Sequence, residues 1–300
     1  MGIYLHGEGS KQQIIRVKID NILGPAIMVW KGNYAKIKGC ELKNCRYGVQ
    51  VNSAQPHILM NTIMNNYEDG ILTESINNLR CDALIQFNSI HKNKANGILC
   101  KGMNNKTRIE RNLKISNNTK AGIQAMDNAS IVANNNTISG NFAQGVLLSE
   151  TTYGHLEKNK ITANYKANVA FGGAASCDTV ILKNEIKEGR AEGIFVIESG
   201  FAWIQKNEIV DNADGILLFD ATPHIYDNSI EHNQRSGITC CGNSFPRIEK
   251  NHIFGNTQSG INFRDQSRCY TMDHELRHND IHNNSYYQIS CRGFSKQEFQ

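Results

Sequence analysis

The sequence has few of the features that mark a membrane protein or a nucleic-acid-binding protein. Its 300 residues include four prolines, two tryptophans and no apolar run approaching a membrane span, which needs about 18 consecutive apolar residues. The 32 basic residues are nearly balanced by 28 acidic ones, and no basic stretch is interleaved with aromatic residues in the way typical of nucleic-acid surfaces. We therefore expect no membrane partner and no nucleic-acid partner.

The nine cysteines lack the spacing of a metal site or of a disulfide framework. Their number is odd, and no two of them form a Cys-x-x-Cys pair, which zinc knuckles typically contain. Free thiols in a reducing compartment are the simplest interpretation. The sequence thus predicts a cytoplasmic protein without a cofactor.

One repeat fills almost the whole chain. Asparagine pairs five residues apart precede glycines that are each followed by an apolar residue, and an apolar residue lies three before the first asparagine. The consensus is I-x-x-N-x-I-x-x-N-x-x-x-G-I-x-φ, where φ is apolar. The glycine position recurs every 22–27 residues and is occupied once by Asn168. The glycines are Gly48, Gly70, Gly97, Gly122, Gly145, Gly193, Gly215, Gly237 and Gly260.

The repeat predicts strands and turns. Its apolar residues alternate in short bursts, which indicates strands, and the asparagines and glycines between them indicate turns. Helix-pair repeats are longer, at roughly 33–47 residues. We predict an all-β fold, a single-stranded right-handed parallel β-helix of about twelve coils, forming one domain over residues 1–300 with regular coils over about 15–290.

Because no capping helix precedes the coils, either a partner supplies the cap or the residues belong to a longer chain.

Each repeated residue has an expected role in a coil. The residue three after each glycine should fill the interior, which makes Cys100 and Cys240 buried thiols rather than nucleophiles. Stacked asparagines should adopt the left-handed conformation and bond side chain to side chain along the stack. The glycine should supply a positive φ or a close backbone approach.

A His-Glu-x-x-His pattern near the C-terminus, His274 to His278, would indicate a zinc hydrolase if it were helical. Leu276, however, lies three before Asn279, where the repeat places its inward apolar residue. On a strand, residues four apart are about 13 Å from each other, too far to share one zinc ion. We predict no metal site.

The units Asn207-Glu208-Ile209-Val210-Asp211-Asn212 and Asn251-His252-Ile253-Phe254-Gly255-Asn256 resemble the parallel β-helix repeat of the carbohydrate-binding and sugar-hydrolase-like family. They are especially similar to the β-helix of F-box-only ubiquitin-ligase subunits. The first resemblance implies polysaccharide lyase, hydrolase or epimerase activity, and the second implies a surface that recognises protein substrates.

The sequence offers no convincing catalytic residues. The galacturonase-like and epimerase-like motifs of sugar-cleaving β-helices are missing. The nearest acid stack is Glu192 and Asp214, which could share a metal or a proton, but their column is otherwise an ordinary polar turn. Carbohydrate binding would require exposed aromatic platforms beside carboxylates, and neither Trp30 nor Trp203 is expected to cluster with acids.

Two outward columns remain as binding surfaces. The column before the first asparagine holds Arg111, Lys158, Lys183, Lys206 and Lys250 beside Glu110, Glu157 and Glu249, and is either a solvated face of mixed charge or a groove for an acidic partner. The column two after each glycine should point outward and is unusually apolar, which marks a partner surface unless a loop covers it. Its partner-binding candidates are Leu72, Leu99, Leu147, Phe195, Leu217 and Phe219.

The leading hypothesis is therefore a non-catalytic protein-binding or scaffold solenoid, engaging a protein along the apolar column and recognising substrates as F-box-type ligases do. The first alternative is a carbohydrate-active enzyme or a carbohydrate-binding protein. The second is a structural component of a large cytoskeletal or ciliary assembly.

Overall fold

The computed structural model describes residues 2–149, 151–173, 179–198, 201–268 and 278–292. Over these residues the fold is an all-β, right-handed parallel β-solenoid of about eleven turns, close to the predicted twelve, and each turn places one strand in each of three sheets. Two compact units divide the chain, Met1–His155 and Leu156–Gln300. That the chain is one domain stays a prediction.

The first unit contains three parallel sheets, named A1, B1 and C1. Sheet A1 consists of β1 (Ile3–Leu5), β4 (Ile27–Trp30), β7 (Val49–Asn52), β10 (Ile71–Glu74), β13 (Ile98–Lys101), β16 (Ile123–Met126) and β19 (Val146–Leu148). Sheet B1 consists of β2 (Gln13–Ile15), β5 (Lys36–Lys38), β8 (His57–Leu59), β11 (Leu84–Gln86), β14 (Lys106–Glu110) and β17 (Ser130–Asn134). Sheet C1 consists of β3 (Lys18–Asp20), β6 (Glu41–Lys43), β9 (Thr62–Met64), β12 (Ser89–His91), β15 (Lys114–Ser116) and β18 (Thr137–Ser139).

The second unit has the same plan, with sheets A2, B2 and C2; strand β20 (Tyr153–Glu157) includes residues of both units. Sheet A2 consists of β22 (Val169–Gly172), β25 (Ile194–Ile197), β28 (Ile216–Phe219), β31 (Ile238–Cys241), β34 (Ile261–Phe263) and β36 (Ile289–Cys291). Sheet B2 consists of β23 (Thr179–Leu182), β26 (Ala202–Gln205), β29 (His224–Tyr226) and β32 (Arg247–Glu249). Sheet C2 consists of β21 (Lys160–Thr162), β24 (Glu185–Lys187), β27 (Glu208–Val210), β30 (Ser229–Glu231), β33 (His252–Phe254) and β35 (Asp280–His282).

Helix is almost absent. Within the described residues it consists of the 3-10 turn Ile76–Asn78 and the 3-10 conformation of His278. None of the helical structure described there has the length and apolar character that a membrane crossing needs.

The core consists of in-register columns of inward side chains. Ile58, Ile85 and Ile109 stack on successive strands of sheet B1 and are all fully buried. The column three after each glycine is buried as predicted, and burial raises the pKa of the Cys100 thiol to about 11. Cys100 and Cys240 are both fully buried, which confirms the prediction that they are buried thiols. A raised pKa disfavours the thiolate, which is the reactive form of cysteine.

Buried asparagines form hydrogen-bonded ladders at the corners. Oδ1 of Asn88 accepts bonds from the backbone N of Asn61 at 2.8 Å and from its Nδ2 at 3.0 Å, and Asn88 repeats both bonds to Asn112. Its Nδ2 also donates to the carbonyl of Ile58 at 2.9 Å. Each ladder amide therefore satisfies backbone groups that the turn would otherwise leave unpaired.

The repeated glycines are required by close backbone approach. A Cβ at Gly70 would lie 2.8 Å from Nδ2 of Asn93 and 2.7 Å from the carbonyl oxygen of Gly97, in the next turn. Positive φ falls instead on the residues before the ladder asparagines, such as Lys92 (φ 57) and Arg111 (φ 53). The expectation that the stacked asparagines themselves are left-handed is wrong, because the turn needs that conformation one residue earlier.

Candidate functional site

The apolar column of the first unit is only partly accessible. Leu72 pairs with Leu99 in adjacent strands, and Gln124 separates Leu99 from Leu147. Leu72 is 6% exposed, so the expectation that its side chain is exposed is wrong. Leu99 and Leu147 are half-buried.

The apolar column of the second unit is short. Phe195 pairs with Leu217, and beside them Ile197 pairs with Phe219, which is 44% exposed. Phe195 and Leu217 are half-buried. Beyond Leu217 the column turns polar and buried, with Thr239, Asn262 and Ser290. That a protein binds along either column stays a prediction.

Asp214, one of the two residues of the predicted acid stack before the glycines, takes part in structural hydrogen bonds. Asp214 is 5% exposed. Its Oδ1 accepts bonds from the hydroxyl of Thr239 at 2.7 Å and from the backbone N of Ser236 at 3.3 Å, and its Oδ2 lies 3.4 Å from Nη1 of Arg235. These bonds engage both oxygens of the carboxylate in the corner itself.

The outer face of sheet B2 carries a chemically diverse cluster. Ile204, Ile225 and Ile248 are fully buried, so the residues on either side of each point outward. Parallel pairing then aligns these outward residues into two rows across β26, β29 and β32. The first row is Trp203, His224 and Arg247, and the second is Gln205, Tyr226 and Glu249.

Aromatic rings occupy one part of this face. Trp203 is 38% exposed. Its ring centroid lies 5.9 Å from that of Phe201, nearly perpendicular, and 4.8 Å from that of His224. The His224 ring in turn lies 5.8 Å from that of Tyr226. Neighbouring rings on both sides hold the indole in place and leave part of it open to solvent.

An ion-paired carboxylate adjoins the rings. Glu249 Oε2 lies 3.1 Å from His224 Nε2, and Arg247 Nε donates to Glu249 Oε1 at 2.7 Å. Burial by itself would raise the pKa of Glu249, but the bonds from Arg247 and His224 outweigh it and hold the pKa below its ordinary value. Glu249 is therefore ionised at neutral pH and fixed in position.

Lysines line the edge where the sheet B2 strands end. Lys250 Nζ lies 3.1 Å from the hydroxyl of Tyr226, and this bond raises the pKa of Lys250. Lys206 Nζ lies 4.0 Å from a carboxylate oxygen of Asp227, which takes the same position one turn on. Lys158, Lys183, Lys206 and Lys250 are all exposed.

Among the described contacts, Trp203 is linked to an acid through His224, whose ring packs on the indole and whose Nε2 lies 3.1 Å from Glu249. The sequence did not reveal this cluster because its members come from later turns, with His224 and Glu249 about 21 and 46 positions after Trp203. An alignment of three segments on their inward isoleucines would have revealed the cluster. The segments are Ala202-Trp203-Ile204, Pro223-His224-Ile225 and Pro246-Arg247-Ile248. The His-Glu-x-x-His prediction is untested, since of His274 to His278 the structure describes only His278.

The side chains of this face can bind and exchange protons. Trp203 offers an apolar platform, Arg247 and Lys250 offer positive charge, and His224 and Tyr226 carry protons that can be transferred. Glu249 fixes the orientation of both Arg247 and His224.

Comparison with solved structures finds the same fold in a mannuronan epimerase and an alginate epimerase. The A-module of a mannuronan C-5 epimerase from Azotobacter vinelandii is similar, with a TM-score of 0.72 and 14% identity over 97% of this chain and 91% of that one. A variant of the periplasmic alginate epimerase AlgG has a TM-score of 0.64 and 14% identity, over 89% of this chain and 77% of that one. At such identities the likeness concerns the fold alone.

No curated protein sequence matches the chain. A closer resemblance to F-box β-helices stays a prediction. The right-handed β-helix part of the broader resemblance is confirmed, since the sequence matches the family described as the right-handed β-helix region over residues 1–112, 48–175 and 173–298. The chain belongs to that family.

Proposed function

We propose that this chain is a carbohydrate-active β-solenoid that binds an acidic polysaccharide along the outer face of sheet B2. The observation that carries the proposal is the cluster of Trp203, His224 and Tyr226 beside the ion pair of Arg247 and Glu249. It places a partly exposed indole, a fixed carboxylate and several cations on one face.

Trp203 provides the stacking surface. The C–H face of a sugar ring packs on an aromatic plane, while the polar edge of the sugar stays available for hydrogen bonds. Phe201 and His224 flank the indole at centroid distances of 5.9 Å and 4.8 Å. Because the ring is already held, little side-chain entropy is lost when a sugar binds.

The charge of the face selects the class of polysaccharide. Lysines occupy this edge column in four turns, with Asp227 in the turn between Lys206 and Lys250. Arg247 lies among the outward side chains of the same sheet. A polyuronate carries one carboxylate per sugar, so it presents a row of negative charges to this row of cations. The acidic partner that the sequence suggested for the column before the first asparagine is, in this proposal, an acidic polysaccharide.

The two similar solved structures favour the same class. They are epimerases acting on mannuronan and alginate, and an epimerase needs one group that removes a proton from the carbon beside the carboxylate and another that returns it on the opposite face. His224, held by Glu249, and the Tyr226 hydroxyl, 3.1 Å from Lys250, lie on one face of the sheet with ring centroids 5.8 Å apart, so we assign to them the proton transfer on one face of the sugar. Arg247 would stabilise the negative charge that develops on the carboxylate.

A second candidate function is protein binding on sheet A2, as the leading hypothesis from the sequence had it. The observation favouring it is the 44% exposure of Phe219 beside half-buried Ile197. A Phe219→Glu variant separates the two functions, because it would abolish protein capture and leave polysaccharide binding unchanged.

Calorimetric titration with polymannuronate, polygalacturonate and a neutral glucan tests the proposal. We expect the polyuronates to bind and the glucan to bind far more weakly. Trp203→Ala should weaken polyuronate binding by about tenfold or more, which corresponds to about 1.4 kcal/mol. Trp30→Ala, on sheet A1, is the matched control, and equal losses in the two variants would contradict the proposal. Deuterium uptake at the carbon beside the carboxylate, measured by NMR in heavy water, tests the assigned proton transfer.

A further inference from the structure

Strands β33 and β35 of sheet C2 bring two histidines and an aspartate together. Parallel pairing places His252 beside Asp280 and Phe254 beside His282. Residues two apart on a strand face the same side, so these four side chains form the corners of a square on the outer face of the sheet. Three of the four corners are groups that ligate metals.

The distances between the three groups suit a single ion. Nδ1 of His252 lies 2.8 Å from Oδ2 of Asp280, and Nε2 of His282 lies 3.8 Å from the same oxygen. One ligand atom from each residue can be chosen so that all three lie within 4.8 Å of one another. Side-chain rotation alone can bring them to the roughly 2.0–2.2 Å that zinc keeps from imidazole nitrogen and carboxylate oxygen.

Phe254, at the fourth corner, restrains both imidazoles. Its ring centroid lies 4.4 Å from that of His252 and 5.4 Å from that of His282, with the second pair stacked at 13°. The two imidazole centroids are 5.1 Å apart. A site whose ligands lie on paired strands and whose rings are packed is better fixed than one on loops.

We propose that His252, Asp280 and His282 bind one divalent transition-metal ion, with zinc as its representative. Two imidazoles and one carboxylate form the set that holds zinc in open, three-ligand sites and iron in facial triads. The side chains are 43%, 66% and 40% exposed, so an ion can enter from solvent and a water molecule can complete its coordination. The ion would also link β33 to β35, strands from consecutive turns.

This arrangement differs from the His-Glu-x-x-His pattern nearby. There the spacing of four residues suits a helix, whereas here two ligands lie two apart on one strand and the third lies on its neighbour. The proposal is also independent of polysaccharide binding, because the cluster lies on sheet C2 rather than on sheet B2.

Titration of the full chain with Zn²⁺, followed by calorimetry and by thermal unfolding, tests the proposal. We expect 1:1 binding and a melting temperature that rises with Zn²⁺ concentration, because only the folded pairing of β33 with β35 assembles the ligands. Co²⁺ in place of Zn²⁺ should give the visible absorption of a low-symmetry site. His252→Ala, Asp280→Asn and His282→Ala should each weaken binding by more than about 100-fold, since the loss of outer-shell partners alone costs about 10–100-fold.

His232→Ala is the matched control. His232 also contacts Phe254, at a centroid distance of 5.5 Å, but is not one of the three proposed ligands, so its replacement should leave binding unchanged. Circular dichroism checks that each variant folds, and Asp280→Asn preserves side-chain shape. The proposal is overturned if the chain binds no Zn²⁺ at 1:1, or if binding survives in His252→Ala and is lost in a His274→Ala/His278→Ala variant.

Discussion

Asn168 occupies the space that an asparagine side chain at Gly189 would fill. Gly189 stands where the second asparagine ladder should continue, between Asn164 and Asn212. Asn168 bridges this interruption, because its Oδ1 accepts from Asn164 Nδ2 at 2.8 Å and its Nδ2 donates to Asn212 Oδ1 at 2.9 Å. A Cβ at Gly189 would lie 2.8 Å from both Asn168 Nδ2 and Asn212 Oδ1.

The last turn shows the same compensation. Gln288 stands in the glycine position after Asn284, and its Oε1 accepts from Asn284 Nδ2 at 2.9 Å and from its backbone N at 3.3 Å. In both turns an amide in the glycine position thus supplies the acceptor for the preceding ladder asparagine. These two exceptions to the glycine column have one physical cause.

Exchanging the two residues should restore the consensus. Asn168→Gly alone removes the buried bonds of Asn168 to Asn164 and to Asn212, each worth about 0.5–1.5 kcal/mol of unfolding free energy. Gly189→Asn alone overlaps with Asn168. The double variant should be more stable than either single variant, with a coupling energy of about 0.5–3 kcal/mol. Urea unfolding of the four proteins measures it. Additive losses would contradict the coupling.

The sequence predicts the solenoid but not the clusters on its surface, for a physical reason. Ile204, Ile225 and Ile248 each lie three residues before an asparagine, so the local sequence is enough to predict which side chains point inward. The neighbours of Trp203 depend on pairing between turns of unequal length, and Glu249 belongs to the same cluster through its contact with His224. The histidine cluster on sheet C2 was missed for the same reason, because His252 and Asp280 meet only through strand pairing.

Asp69 should destabilise the fold at neutral pH. It is 4% exposed, and burial raises its pKa although its Oδ1 accepts two bonds from Asn96. Ionisation therefore costs more in the folded state than in the unfolded state, and the stability lost to it grows as pH rises through the two pKa values.

Asp69→Asn keeps an oxygen for both bonds and should raise the melting temperature at pH 7. The gain should shrink as pH falls below the ordinary aspartate value of 3.8. Asp214→Asn, at the equivalent corner but beside Arg235, is the control and should not stabilise. An equal gain in both variants would show that burial of Asp69 is not the cause.

Glu249 should have the opposite pH dependence. Its pKa is held below its ordinary value, so its ionised form stabilises the fold above pH 4.5 and this contribution is lost as pH falls through the lowered pKa. Glu249→Gln should therefore destabilise the chain at pH 7 and approach the wild type in acid. Thermal unfolding across pH measures the difference, and a constant gap would refute the ion-pair assignment.

The exposed lysines of the edge column, Lys158, Lys183, Lys206 and Lys250, should set the salt dependence of polysaccharide binding. Lys206→Glu/Lys250→Glu should weaken polyuronate binding and flatten its dependence on ionic strength, because screening acts on exposed charges. Lys92→Glu/Lys94→Glu, two exposed lysines of the first unit, makes the same change in net charge. If both double variants lose affinity equally, net charge alone is responsible.

Fluorescence of Trp203 tests the central claim most directly. The chain has two tryptophans, so a Trp30→Phe variant reports on Trp203 alone. On titration with polymannuronate, we expect the emission to shift and acrylamide quenching to fall, saturating with the binding isotherm measured by calorimetry, while a neutral glucan has no effect. Polyuronate binding that leaves the quenching of Trp203 unchanged, or no binding at all, would contradict the assignment of sheet B2 as the polysaccharide face.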